Sequence, residues 1–265
     1  MTEVIGYVAA FVIGVVLGLI GGGGSILTVP AFVYLLGIQP VIATGYSLFV
    51  VGSTALVGGL IYAKKQLVDF KTAFIFAIPA FIAVYLTRKF IITAIPEVIF
   101  ESDILYLTKE VGLMVFFGAI MLAASFSMIK NKKHVNDEKE QEVKYNMPAI
   151  ILEGVLVGVI TGLVGAGGGF MIIPALVILA KLPMKKAVGT SLIIIAAKSL
   201  IGFIGDVENI EIEWNFLLLF SGTAIVGIFL GTYLNKLIPG TKLQKGFGWF
   251  VLVMAIYILI NEIVL

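Results

Sequence analysis

The sequence predicts an all-α polytopic membrane protein built from two inverted repeats, each with five apolar segments and a short broken or re-entrant helix after a glycine-rich loop. Three observations carry that expectation. Hydrophobic residues form 60% of the 265-residue chain and charged residues only 13%, against about 45–50% and about 25% in soluble domains. The apolar residues are gathered into long uninterrupted runs. The chain also matches itself when shifted by 144 positions.

Apolar runs broken by charge, Gly or Pro fall at roughly 4–20, 26–37, 41–62, 70–92, 110–129, 149–164, 170–180, 186–205, 214–236 and 243–263. Most can cross about 30 Å of hydrocarbon at ~1.5 Å per residue. The runs at 26–37 and 170–180 reach only roughly 17–18 Å as helices. These two are expected as partial spans, and the sequence leaves open whether they cross or re-enter. Met1-Thr2-Glu3 lacks the basic start of a signal peptide, so the first run is expected to be retained.

Each short run follows a glycine cluster, and the self-match begins there. Gly18-Leu19-Ile20-Gly21-Gly22-Gly23-Gly24 falls on Gly162-Leu163-Val164-Gly165-Ala166-Gly167-Gly168. Further along, Pro30-Ala31 falls on Pro174-Ala175, Ala43 to Leu48 on Ala187 to Leu192, and Asp69-Phe70 on Glu213-Trp214. Residues 1–129 therefore form the first repeat and 149–265 the second, joined by a charged linker over 130–148. His134, the single histidine, falls in that linker and reads as a bystander.

Lys and Arg accumulate in short cytoplasmic loops. The stretches 63–71, 130–148, 181–186 and 237–244 collect lysines such as Lys64, Lys65, Lys185, Lys186 and Lys242. The stretches 93–109 and 206–213 collect Glu97, Glu101, Asp103, Asp206, Glu208, Glu211 and Glu213 against Lys109. Both termini are therefore expected outside the cell membrane and the linker in the cytoplasm. Five segments per repeat then insert the second copy upside down, an arrangement typical of secondary transporters.

Non-helical backbone at membrane depth must be buried or line a cavity. Glycine permits unusual dihedrals and close approach, and a helix starting just after it offers free N–H groups to an anion. Gly22, Gly23, Gly24 and Ser25 in one copy, and Gly167, Gly168 and Gly169 in the other, are the candidate anion-binding backbone. Ser47, Thr190 and Ser191 could lend hydroxyls, although Ser and Thr also bond back to their own helix. Lys198 lies mid-run, seven residues beyond Ser191 and thus on the same helical face, an offset that Thr54 repeats from Ser47. An ionisable group at that depth is functional by default; the competing reading is a snorkelling lysine. Isolated glycines such as Gly58, Gly202, Gly227 and Gly231 read as packing sites.

Several classes are disfavoured. The chain has no cysteine, so no thiolate metal site or cysteine nucleophile is available. No Lys-Ser or Lys-Thr follows the glycine loops as nucleotide binding needs. No paired intramembrane carboxylates or metal-ligand clusters appear, so no enzyme, metal site or cofactor is expected, and the scattered lysines imply no nucleic-acid partner. The lipid bilayer is the expected surrounding, and a homo-oligomer is compatible with the sequence.

The duplicated Gly-rich loop running to Pro174, then Ala187-Val188-Gly189-Thr190-Ser191-Leu192 and Glu213-Trp214, resembles the sulfite exporter TauE/SafE family of membrane permeases over nearly the whole chain. In the first copy Tyr46 stands where the second has Thr190, and Thr87-Arg88 where the second has Gly231-Thr232. The resemblance implies transport of a small sulfur-containing anion: sulfite, thiosulfate, a sulfonate or sulfoacetate. A proton-coupled secondary transporter is the expected function. A passive anion channel and a non-transporting membrane scaffold are the alternatives.

Overall fold

The computed structural model describes residues 2–91, 94, 96, 98–101, 106–130, 147–164, 169–206 and 212–264. The linker over 131–146, including His134, and the loop residues Gly167 and Gly168 lie outside the described residues, as do the side chains of Ser25, Arg88 and Glu153.

Each apolar run becomes a helix. In the first copy these are α1 (Thr2–Ile20), α2 (Gly23–Pro30), α3 (Pro40–Lys64), α4 (Phe70–Leu86) and α5 (Lys109–Lys130). In the second they are α6 (Met147–Val164), α7 (Gly169–Pro174), α8 (Met184–Asp206), α9 (Trp214–Leu237) and α10 (Gly240–Val264). By length and composition, Gly45–Lys64, Met184–Ile204, Trp214–Leu237 and Thr241–Asn261 can each cross a membrane, and shorter apolar helices accompany them. Large apolar side chains such as Phe74, Val226, Phe229, Trp249 and Val253 cover the outside of the bundle, the reverse of a soluble surface. The fold is a helical, multi-pass membrane protein.

One departure from an all-helical chain is small. Between α4 and α5, β1 (Val98–Glu101) pairs antiparallel with β2 (Tyr106–Thr108). Val98-Ile99-Phe100 and Tyr106-Leu107 are β-branched, aromatic or bulky residues suited to a pleated ribbon, within a stretch that reads as a loop from its charges alone.

The short helices α2 and α7 each end at a proline and continue as a π turn, Ala31–Leu35 and Ala175–Leu179. Proline has no N–H to donate, so the regular ladder is interrupted there and the turn widens. Both turns close alike: Ile38 N–H donates to Phe32 O at 3.0 Å and Leu182 N–H to Leu176 O at 2.9 Å. These pairs are 144 residues apart. A Cβ on Gly6 would lie 2.8 Å from Leu36 Cδ2, so α2 and its π turn run back beside α1 to near its start.

Packing between helices pairs the copies. Helix α1 lies along α9, α6 along α4, α3 against α8, α5 against α10, and α2 touches α7. Exchanging the two halves maps this set of pairings onto itself. Glycines set the closest of these contacts. A Cβ on Gly14 would lie 2.7 Å from Ala224 C, and one on Gly158 2.9 Å from Ala80 Cα; glycine and alanine alike are again 144 apart. Gly227 and Gly231 meet the α1 backbone in the same way, and Gly58 meets Ile228 and Leu192. These bear out the packing role read from the sequence. Gly202 has ordinary room, its nearest neighbour being Leu48 Cδ1 at 3.4 Å.

Helices α3 and α8 run antiparallel. Gly52 faces Leu200 while Gly59 faces Ile193, so the register brings Tyr46 to the far end of α8 and Thr190 to the far end of α3. Gly189 confirms the second placement, lying against Tyr62 and Leu67.

Candidate functional site

At the first glycine-rich break the turn and the carbonyls that end α1 find hydrogen-bond partners inside the protein. Gly21 turns the chain with φ of 85°, a conformation natural to glycine, and its N–H donates to Leu17 O at 2.7 Å. The carbonyls at the end of α1, left over by helix geometry, are taken up by side chains from elsewhere. Tyr62 Oη donates to Gly18 O at 2.9 Å, Asn235 Nδ2 to Leu19 O at 2.7 Å, and Ser191 Oγ to Gly21 O at 3.1 Å. Tyr62 and Asn235 carry no motif and lie 44 and 216 residues from their partners, so nothing in the sequence points to them.

Gly21, Gly22, Gly23 and Gly24 are all buried. Gly22 lies directly on Gly169: a Cβ there would come within 2.7 Å of the Gly169 carbonyl carbon. The first break and the start of α7, one from each copy, therefore meet in the protein interior. Gly24 packs on Ile13 O and Leu17, and Gly23 has Val16 and Phe250 as neighbours. The N-cap of α2 is Gly22, which has no side chain of its own to cap the helix. The structure thus brings together Gly22, Gly23, Gly24, Gly169 and Ser191.

The hydroxyls expected to face an anion have further duties. Ser191 Oγ also approaches Val188 O at 2.8 Å. Thr190 Oγ1 accepts from the N–H of Asp69 at 2.9 Å, and the Asp69 carboxylate accepts from Thr72 N–H at 2.8 Å. In the matching place of the other copy, Tyr46 Oη accepts from Glu213 N–H at 2.7 Å. Tyr46 in place of threonine thus preserves the contact. Ser47 is buried. Lys198 is half-buried beside exposed Ala197, with buried Ser199 on its other side. The α3–α8 register sets Thr54 opposite Lys198, and the Thr54 hydroxyl is fully buried with no hydrogen-bond partner, as are those of Thr87 and Ser199.

Beyond the end of α3, Lys65 Nζ lies 5.3 Å from the centre of the Tyr62 ring. Burial, and after it the Lys236 ammonium, hold Lys65 below the usual lysine range. The folded chain therefore binds that proton less tightly than the unfolded chain. The resulting cost is full below the lowered folded midpoint and is relieved as pH rises through it to the ordinary lysine range. Lys236→Gln is expected to move the Lys65 midpoint part of the way back up, measured by NMR titration of ¹³C-methylated lysines; a midpoint that stays in place would leave burial as the whole cause.

Paired apolar helices, an interior glycine break seated against the start of α7, and an apolar exterior define a polytopic membrane protein. Residues 7–258 match the family described as sulfite exporter TauE/SafE, and the chain belongs to that family. It is 30% identical over 251 residues to a "Probable membrane transporter protein" of Xylella fastidiosa (strain 9a5c), covering 93% of this chain and 91% of that one. It is likewise 30% identical over 261 residues to the "Probable membrane transporter protein YunE" of Bacillus subtilis (strain 168), covering 86% and 89%. Similarity to the "Probable membrane transporter protein MJ0441" of Methanocaldococcus jannaschii is 29% over 202 residues, covering 74% and 69%. No solved structure matches the chain. The protein is a membrane transporter and not an enzyme.

Proposed function

We propose that this transporter moves a small sulfur-containing anion, of the sulfite, thiosulfate, sulfonate or sulfoacetate class, across the cytoplasmic membrane by alternating access coupled to protons. The observation that carries the proposal is the contact of Gly22 with Gly169. The glycine break of the first copy faces the start of α7 from the other copy, and the N-cap of α2 is a glycine, which lets an anion come close to the backbone of that helix end. The family description points to sulfite as the type of substrate. Antiparallel packing of α3 on its counterpart α8 supports the inverted repeat, with boundaries 1–129, 130–148 and 149–265. The lysine-rich stretches support a cytoplasmic linker and outside termini.

In this assignment Gly22, Gly23, Gly24, Ser25, Gly167, Gly168 and Gly169 supply the backbone cradle. Ser191 fixes the Gly21 turn through its 3.1 Å bond, Ser47 takes the matching place, Thr190 steadies α4 through its Asp69 contact, and Lys198 contributes positive charge. A thermal-shift screen of sulfur oxyanions and sulfonates tests the substrate class. A ligand at about 100 times its Kd stabilises by ~2.7 kcal/mol and raises the midpoint on the order of 5 °C. Saturable counterflow of labelled sulfite in proteoliposomes is the expected companion result; flux without counterflow would make the protein a channel, and no flux or shift with any of these anions would remove the substrate assignment. Flux unchanged by Lys198→Ala would take Lys198 out of the mechanism.

A further inference from the structure

The bonds Tyr46–Glu213 and Thr190–Asp69 form a matched pair. Both tie the middle of one copy to the other copy, their members are 144 residues apart, and each uses a buried hydroxyl as acceptor, at 2.7 and 2.9 Å. Each donor is the N-cap residue of a helix, Asp69 of α4 and Glu213 of α9. Thr190 is level with Tyr62 across the antiparallel α3–α8 pair, so the two bonds are separated by sixteen residues of helix, about 24 Å. They sit at opposite ends of that pair.

The elements they hold are also distinct. Glu213 leads α9, which lies along α1; Asp69 leads α4, which lies along α6. Each pair is thus joined by its leading residue to one end of the α3–α8 axis, the two pairs at opposite ends, and α1 is held besides at the Thr190 end through Gly18 and Gly21. We infer that these bonds are reciprocal latches, opened one at a time as the protein exposes its centre first to one side and then to the other. This inference rests on the alternating-access function proposed above. The latches are not equal. Asp69 is buried and its carboxylate caps Thr72 N–H, whereas Glu213 is exposed and makes no side-chain cap. The Tyr46 end is the weaker and opens first.

Hydrogen-exchange mass spectrometry on the full chain in lipid nanodiscs, without substrate, tests this. Tyr46→Phe deletes one acceptor. Exchange at Glu213 is expected to quicken roughly fivefold, the worth of one ordinary hydrogen bond, while exchange around Asp69 at the far end slows by a similar factor. Thr190→Val is expected to give the mirror image, and Thr190→Ser to behave as wild type. A far end that stays unchanged, or quickens, in both deletions reduces the bonds to local helix caps and overturns the proposal. Should Tyr46→Phe fail to fold, the Thr190→Val and Thr190→Ser pair decides alone. Sulfite counterflow on the same samples separates the two claims: intact counterflow with an unmoved far end rejects the latches only, and a moved far end without any anion flux rejects the substrate assignment only.

Discussion

Alanine in place of Gly21 is expected to cost about 2–5 kcal/mol of folding stability, the sum of two separable effects. The first is conformational. With φ at 85° a Cβ is strained by roughly 1–2 kcal/mol. The second is steric. That Cβ would lie 2.8 Å from Ser191 Oγ and 2.9 Å from Val188 Cα, and a backbone carbon cannot swing aside, which adds about 1–3 kcal/mol of overpacking. Gly37 separates the two, because it has φ of 67° with nothing within 4 Å. Gly37→Ala should show the first cost alone. Thermal unfolding of the two variants in the same detergent gives the comparison, and equal losses would mean that the α8 contact contributes nothing. Because Ser191 donates to Gly21 O, Gly21→Ala is also expected to lower anion flux more than its residual folded fraction accounts for.

Leucine in place of Gly227 is expected to prevent accumulation of a monodisperse folded protein, a loss of roughly 3 kcal/mol or more. Helices in lipid gain little from hydrophobic burial against each other, so their association depends on close backbone approach. Along α1 and α9 that approach is made by Gly14, Gly18, Gly227 and Gly231, with a Cβ on Gly227 at 3.0 Å from Val15 N and 3.1 Å from Phe11 C. A branched side chain there separates the helices along their length and draws Asn235 away from Leu19 O. Gly222, on the same helix, has nothing within 4 Å, and Gly222→Leu should change stability by less than about 0.5 kcal/mol. Size-exclusion profiles and unfolding midpoints of the two proteins make the check. Two equally damaged variants would show that leucine harms α9 whatever it faces.

Spans, duplication and breaks were legible because each is a local pattern. An apolar run needs no partner to be recognised, and the shift of 144 places Gly on Gly and Pro on Pro within one chain. Proline also signals where a ladder bond must fail, although widening into π turns at Ala31–Leu35 and Ala175–Leu179 depends on how the following residues are packed. The candidate site was legible in part. Gly22 and Gly169 could be named from their clusters, but their mutual contact joins residues from different copies.

Roles of side chains were decided by the tertiary structure. Thr190 reads from the sequence as a donor to an anion, and the fold gives its oxygen to the N–H of Asp69. Tyr46 looks like a departure from the repeat until its hydroxyl is found accepting from Glu213. Tyr62 and Asn235 look like ordinary helix residues, yet they complete the end of α1. By itself the sequence determined a bilayer-embedded, duplicated chain with two glycine breaks, since hydrophobicity and glycine's dihedral freedom are properties of the residues. Which amide meets which carbonyl across the two copies was left to the packed structure, because a hydrogen bond is set by distance and direction in space, and separation along the chain constrains neither.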